Sequence, residues 1–407
     1  MEKKFQKAAM NQEHPSWKQA VSRQEELYKR QNDIRTEFAR DYTRILHARS
    51  YRRLKHKTQV FFNVHNDHIC TRMEHVLHVE SVSSNLSDAL GLNTELVKAI
   101  ATGHDLGHAP FGHSGEKIIS ELTKKYLGEA FWHEKNGIRV VDKLDLINNP
   151  QNVYQNLNLT YAVRDGIISH CGEVDDNALF PRKEMIDLYE IEKAGQYNAF
   201  TWEGCVVKIA DKIAYLGRDI EDALMLKIIT YHDLASLMKI ATEYGQEAIN
   251  TSVIMHEFIV DLVKNSSVEG GICLSEEKAA LMKEIKDFNV SHIYNHKKLE
   301  PFVKYSQLVI HTIFDYFLQF YNHQSTLSDI KENGNDSVLA DFYKWLIKYC
   351  SGSIVPKEDL PFCSRYQNRK LYGTLEDKRI YTQAVIDYIA GMTDAYAIDS
   401  FQAIISF

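Results

Sequence analysis

The chain has 407 residues, with 48 Lys+Arg against 55 Asp+Glu and a formal net charge of -7. It is long enough to bury a sizeable core without staples, and its charge gives no global attraction to nucleic acid. Six scattered cysteines without a C-x-x-C pair exclude a zinc ribbon and a secreted disulfide scaffold. The absence of a long apolar run excludes a signal peptide and a membrane span, so a cytoplasmic protein is expected.

Only seven prolines and 19 glycines occur, and apolar residues recur mostly at helical spacing, which gives an all-α class. From about Ser16 to Leu54 the chain is densely charged, as expected of exposed helices with a solvated face. At its end Arg44, Arg49, Arg52, Arg53, Lys55 and Lys57 concentrate positive charge that a polyanion site can use. Residues 58–69 read as an extended piece and a polar loop, with room for a small β-hairpin. Thr71 then opens a helix whose Val79, Val82, Leu86 and Leu90 share a stripe with His75, and Gly91 stops it. Asn93 caps the next helix, which presents Val97, Ile100 and His104 on one face, with Asp105 about 100° further round.

Gly107 and Pro110 break that helix. Further helices are expected over 115–126, 132–144 and 159–170, with a loop at 148–152, and then over Trp202 to Leu226, where Asp211 shares a face with Val207, Ala210, Ala214 and Tyr215. Residues 231–407 continue as amphipathic helices. Two regions are therefore expected, an N-terminal arm and catalytic core over 1–230 and a helical C-terminal region over 231–407 packed on it as one continuous unit.

His75, the His104-Asp105 doublet and Asp211 are potential ligands on three helices, all expected to face inward. Burying two ionised aspartates without a partner is costly, and a shared cation compensates both. Two imidazoles and two carboxylates suit Mn, Fe, Zn, Ni or Mg and leave the choice open.

The segments Arg72-Met73-Glu74-His75, His104-Asp105 with Gly107-His108-x-Pro110-Phe111-x-His113, and Ala210-Asp211-Lys212-Ile213-Ala214-Tyr215 resemble the HD superfamily of metal-dependent phosphohydrolases. They are closer still to its deoxynucleoside triphosphate (dNTP) triphosphohydrolase branch, the bacterial dGTPase-like proteins and the mammalian HD-domain dNTPase. Supporting pieces are residues 44–55, His133-Glu134, residues 217–224 and the late Asp387-Tyr388-Ile389-Ala390-Gly391-Met392-Thr393-Asp394.

The resemblance implies hydrolysis of a dNTP at the α-phosphorus, releasing tripolyphosphate. It makes His75, His104, Asp105 and Asp211 the ligands of a divalent metal, His113 the catalytic histidine and Glu116 its acidic partner. His108 and His133 fall near the phosphates, where Arg72 and Lys212 are also expected. Lys212 departs from the acid that many bacterial members carry and is closer to the mammalian enzyme. Gln59, Tyr215 and Asp219 are placed around the sugar, and Arg379 and Tyr388 are candidates to reach the phosphates. The resemblance also implies a homo-oligomer, tetramer or hexamer, and a second dNTP as activator; nucleic acid is not an expected substrate. Two alternatives stay open: an HD phosphohydrolase for another nucleotide, a dNMP or a guanosine alarmone, or a non-catalytic nucleotide- or nucleic-acid-binding protein.

Overall fold

A computed structural model describes residues 3–28, 32–61, 66, 68–171, 177–230, 232–245, 249–334 and 337–406. Helices make up 62 % of it, and the sheets amount to two small antiparallel pairs, so the fold is all-α. The hairpin expected near 58–69 falls in part on residues 62–65 and 67, which lie outside the described residues. Among the described residues no helix is long and apolar enough to cross a membrane. All six cysteines are free. The chain divides into two compact units that interleave in sequence: one of residues 1–46, 64–105 and 158–301, the other of 47–63, 106–157 and 302–407.

The first unit is built on four helices packed on one another, Arg72–Leu90, Thr94–Gly103, Tyr161–Ser169 and Trp202–Met225. The ends of the first are set locally. Thr71 and Glu74 form a reciprocal capping box, and Gly91 takes the left-handed conformation (φ 85°) that closes the last turn. Its Val76, Val79, Val82 and Leu86 are fully buried, each contributing roughly 2 kcal/mol. Thr94–Gly103 starts where the Asn93 side chain accepts the amides of Glu95 and Leu96. It meets Tyr161–Ser169 at close range: a Cβ on Gly166 would stand 2.5 Å from Ile100, and one on Gly103 2.8 Å from Ile167. These two glycines bring the helix that ends at His104 against its neighbour.

The expected solvated face at the N-terminal end is corrected here. Asp41 is fully buried and bonds Arg23 and the Thr160 amide, while Arg40 and Arg44 are buried beside Tyr28. Arg23, Asp33, Arg35, Glu37, Arg40 and Asp41 pair with one another, whereas Glu25 and Glu26 are exposed, so only part of this charge run faces water.

The second unit gathers Gly112–Leu127, His133–Arg139, Ser337–Leu346, Lys378–Ala390 and Asp394–Ile405 around a core in which Phe314, Phe317, Phe342 and Tyr381 are fully buried. Gly112–Leu127 starts three residues earlier than periodicity predicts because Phe111, not a glycine, adopts the left-handed conformation (φ 64°) just ahead of it. The expected helix over 132–144 becomes His133–Arg139 followed by a π turn, Val140–Leu144. Leu146–Asn148 pairs antiparallel with Tyr154–Asn156, Leu146 opposite Asn156, around the predicted 148–152 loop.

Candidate functional site

The predicted residues fall into two groups, one in each unit. In the first unit, His75 comes from Arg72–Leu90, the His104-Asp105 doublet from the end of Thr94–Gly103, and Asp211 from Trp202–Met225. His75 Nε2 lies 2.9 Å from Asp211 Oδ1, and His104 Nε2 lies 3.4 Å from Asp105 Oδ1 and 3.8 Å from Asp211 Oδ1. One ligand atom each of His75, His104 and Asp211 sits within 4.8 Å of the others, a spacing that one ion with bonds of about 2.0–2.2 Å can bridge.

The donor set fits a metal on a specific observation. His104 is fully buried, its Nδ1 lies 2.6 Å from the Ala101 carbonyl, and its buried Nε2 has no hydrogen-bond partner among the described residues. The carbonyl requires the proton on Nδ1, which leaves the Nε2 lone pair aimed into the cluster. Arg72, 1 % exposed, places Nη1 2.9 Å from Asp105 Oδ2, so the doublet's acid is balanced on one oxygen while Oδ1 faces His104. Asp211 keeps 14 % of its side chain exposed, the least enclosed member of the set.

Electrostatics follow the same geometry. Burial pushes His104 down to about 4, the neutral state a ligand needs. Burial also disfavours the charged form of His75, but the Asp211 hydrogen bond and the charges of Asp211 and Asp105 hold it above its ordinary value. Burial likewise opposes ionisation of Asp211, but the His75 bond and the charges of His75, His104 and His170 together outweigh it and lower that carboxyl.

Further along the same helix, Lys212 is buried, and Asp219 accepts a 2.5 Å hydrogen bond from the Tyr294 hydroxyl. Tyr215 is partly buried.

In the second unit Glu116 is the hub. It accepts the His133 amide at 2.8 Å and lies 3.2 Å from His133 Nδ1, 3.8 Å from His113 Nδ1 and 3.9 Å from His108 Nδ1. The His108 and His133 rings stack with centroids 3.7 Å apart. Burial raises the Glu116 carboxyl, but the His133 charge and the hydrogen bonds of His113 and His133 dominate and hold it well below the usual carboxylate range. His113 stands outside this packing, its side chain 69 % exposed.

Glycines make this cluster sterically possible. A Cβ on Gly107 would stand 2.0 Å from the His133 carbonyl, and one on Gly115 would stand 1.8 Å from that of Pro110. Lys57, from the basic cluster, is buried and donates to the carbonyls of His108 and Ala390. Gln59 lies in this unit, partly buried.

The family model of the HD domain matches residues 72–216, and that of a phosphohydrolase-associated domain matches 366–403. A deoxyguanosinetriphosphate triphosphohydrolase-like protein of Clostridium tetani is 32 % identical over 372 residues, covering 90 % of this chain and 85 % of the relative. One from Caldanaerobacter subterraneus subsp. tengcongensis is 32 % identical over 373 residues, 91 % of this chain and 86 % of the relative. A Rickettsia bellii protein of the same description is 28 % identical over 386 residues, 91 % and 92 %. The chain belongs to the HD-domain dGTPase-like family.

For a member of this family, two residues near the predicted set escaped sequence reasoning. His170 puts its ring 5.0 Å from that of His104 and forms with His104 and Asp105 a second possible ligand group. Its signal was its place at the end of the predicted 159–170 helix. Tyr294, the partner of Asp219, lies 75 residues away from it and carries no motif. Of the candidates in the late segment, Arg379 donates to the Leu127 carbonyl at 2.6 Å, and the Tyr388 hydroxyl meets that of Tyr396 at 2.8 Å.

Proposed function

We propose that this dGTPase-like protein hydrolyses dNTPs to the deoxynucleoside and tripolyphosphate. The observation that carries this reading is the lone pair of His104 Nε2, buried without a partner beside His75, Asp105 and Asp211. These four residues would hold a divalent ion, which when bound polarises phosphoryl oxygens and makes a water more acidic. Mn, Mg, Fe, Zn and Ni all suit this donor set, which leaves the choice among them open.

The chain's own groups supply the rest. Attack of water at the α-phosphorus breaks its bond to the 5′-oxygen, and the water oxygen leaves with tripolyphosphate, so the departing 5′-oxygen needs a proton. His113 is the general acid: it is exposed enough to meet substrate and has the Glu116 carboxylate 3.8 Å from Nδ1 to orient its ring. His108 and His133, stacked against each other, are fixed by Glu116 to bind phosphate oxygens. Arg72 and Lys212 add positive charge for the triphosphate. Gln59, Tyr215 and Asp219 select deoxyribose, Asp219 being oriented by Tyr294.

A product assay with each dNTP and Mn or Mg tests this. Tripolyphosphate with the free deoxynucleoside is expected; orthophosphate without tripolyphosphate would instead assign the site to another nucleotide. A second dNTP acting as activator is expected to raise turnover in mixed-nucleotide assays. Sedimentation is expected to give a tetramer or hexamer, and cell fractionation to place the protein in the cytoplasm.

A further inference from the structure

The basic cluster between Arg44 and Lys57 is only partly used by what precedes. Arg49 and Arg53, one helical turn apart on Arg49–Arg53, line a cavity of about 320 Å³ within the second unit, and Lys348 lines it from the chain that follows Ser337–Leu346. Three cations converge there. Among the described residues none of the three has a carboxylate within ion-pair distance, and the buried Arg53 Nε has no hydrogen-bond partner. A Cβ on Gly391 would stand 3.7 Å from Arg53 Nη1, which puts the guanidinium against the cavity wall at Gly391.

The two carboxylates in the lining are already engaged. Asp145 accepts the amides of Arg49 (3.2 Å) and Ser50 (2.7 Å) as well as the Ser50 hydroxyl, which satisfies the start of the short helix. Asp387 is held by Arg139 through bonds of 2.7 and 2.6 Å and by the Tyr372 hydroxyl at 2.8 Å. Neither neutralises the trio. The effect shows on Lys348, whose ammonium is pulled down to about 8 by burial and then by the like charges of Arg49 and Arg53.

The rest of the wall is aromatic. Tyr154 and Tyr366 stack with centroids 4.9 Å apart, and Trp345 packs 5.1 Å from both Tyr349 and Tyr388. Arginine forks suit the oxygens of a phosphate, and ring faces take a flat heterocycle. A volume at the low end of the roughly 300–1,000 Å³ of ligand pockets admits one nucleoside with a short phosphate.

We propose that this cavity is a nucleoside monophosphate site, with the phosphate held by Arg49, Arg53 and Lys348 and the base against the Trp345–Tyr388 wall. None of the residues given a role in the proposed hydrolysis lines it, while Tyr388, which the resemblance offered as a candidate to reach the phosphates, is part of its wall. It therefore goes beyond the hydrolase reading and stands or falls separately from it.

Calorimetric titration of the full chain with dAMP, dGMP, deoxyadenosine and orthophosphate tests the assignment. The monophosphates are expected to bind the wild type and the Asp211→Asn and His113→Ala variants with the same affinity. Binding is expected to weaken at least tenfold in Arg49→Gln, Lys348→Gln and Arg53→Gln, and deoxyadenosine to bind at least tenfold more weakly than dAMP. Arg49 is exposed, so its variant decides the matter should Arg53→Gln fail to fold. The proposal is overturned if no monophosphate binds, if Asp211→Asn or His113→Ala abolishes binding while Arg49→Gln and Lys348→Gln bind as wild type, or if orthophosphate matches dAMP.

Discussion

In the first unit the candidate ligands are balanced pairwise: His75 against Asp211, Arg72 against Asp105, and His104 locked by a backbone carbonyl. In the second, Glu116 serves three imidazoles, with buried Glu134 also 3.5 Å from His133 Nδ1, and one of the three, His113, is largely in solvent. Pairwise contacts in a buried setting hold each side chain in one place, which is what presenting ligand atoms to an ion requires. Three imidazoles crowded around Glu116 leave the most exposed of them, His113, open to solvent, as the general acid proposed for the reaction has to be. Burial sets the two clusters apart, though both draw on the same 16-residue stretch, Ala101 to Glu116.

Substitutions test that division, starting with the largest effect. Asp211→Asn takes a charge from the pairwise set, and metal-dependent turnover is expected to fall to background, with bound metal lost in elemental analysis of the purified protein. His113→Gln leaves the ligands in place. It is expected to lower kcat by about 10²–10⁴-fold with metal content unchanged, and an equal loss of metal would break the comparison. Glu116→Gln keeps the shape of the hub and removes its charge. An effect of roughly 10–100-fold on kcat is expected, similar to that of other residues that orient a functional group.

The smallest effect concerns Asp222, three turns beyond Asp211 on the same helix but without an imidazole partner. Burial raises its carboxyl to about 6, only partly offset by the Cys70 amide and Arg218. A pKa raised on folding means a proton is taken up, so this carboxyl favours the folded state in acid, and that contribution is lost as pH rises through about 6. Asp222→Asn, still able to accept the Cys70 N–H, is expected to stabilise the protein by about 1 kcal/mol at pH 8, after allowance for solvent screening, and by almost nothing at pH 4. Thermal melts at the two pH values read this. Equal stabilisation at both would mean the carboxyl is not buried in the way that sets it apart from Asp211.

Much of this was legible in sequence where the signal is local. The Thr71 cap, the Gly91 stop, the Asn93 cap and the 24-residue helix of Asp211 each follow from a few neighbouring residues. The HD quartet was legible because three inward stripes each carried a ligand type that is costly to bury. What was not legible depends on distant partners. Arg23 and Asp41 look solvated until Asp41 and Thr160 are brought together. The three-residue strands Leu146–Asn148 and Tyr154–Asn156 are too short for a period to show. Arg49 and Arg53 read as part of an undifferentiated basic run, because their cavity is completed by residues nearly three hundred positions later.

Phe111 carries one more consequence. Its left-handed backbone aims the start of Gly112–Leu127, and its amide is held by Asp394 Oδ1 at 2.9 Å, a residue in the segment matched by the phosphohydrolase-associated model. The same Asp394 binds the amide and hydroxyl of Thr58 through Oδ2. The last forty residues are therefore not an exchangeable module. A chimera that imported them from a relative without an acid at this position would inherit a misaimed histidine helix, so the tail and the histidine loop have to be inherited together.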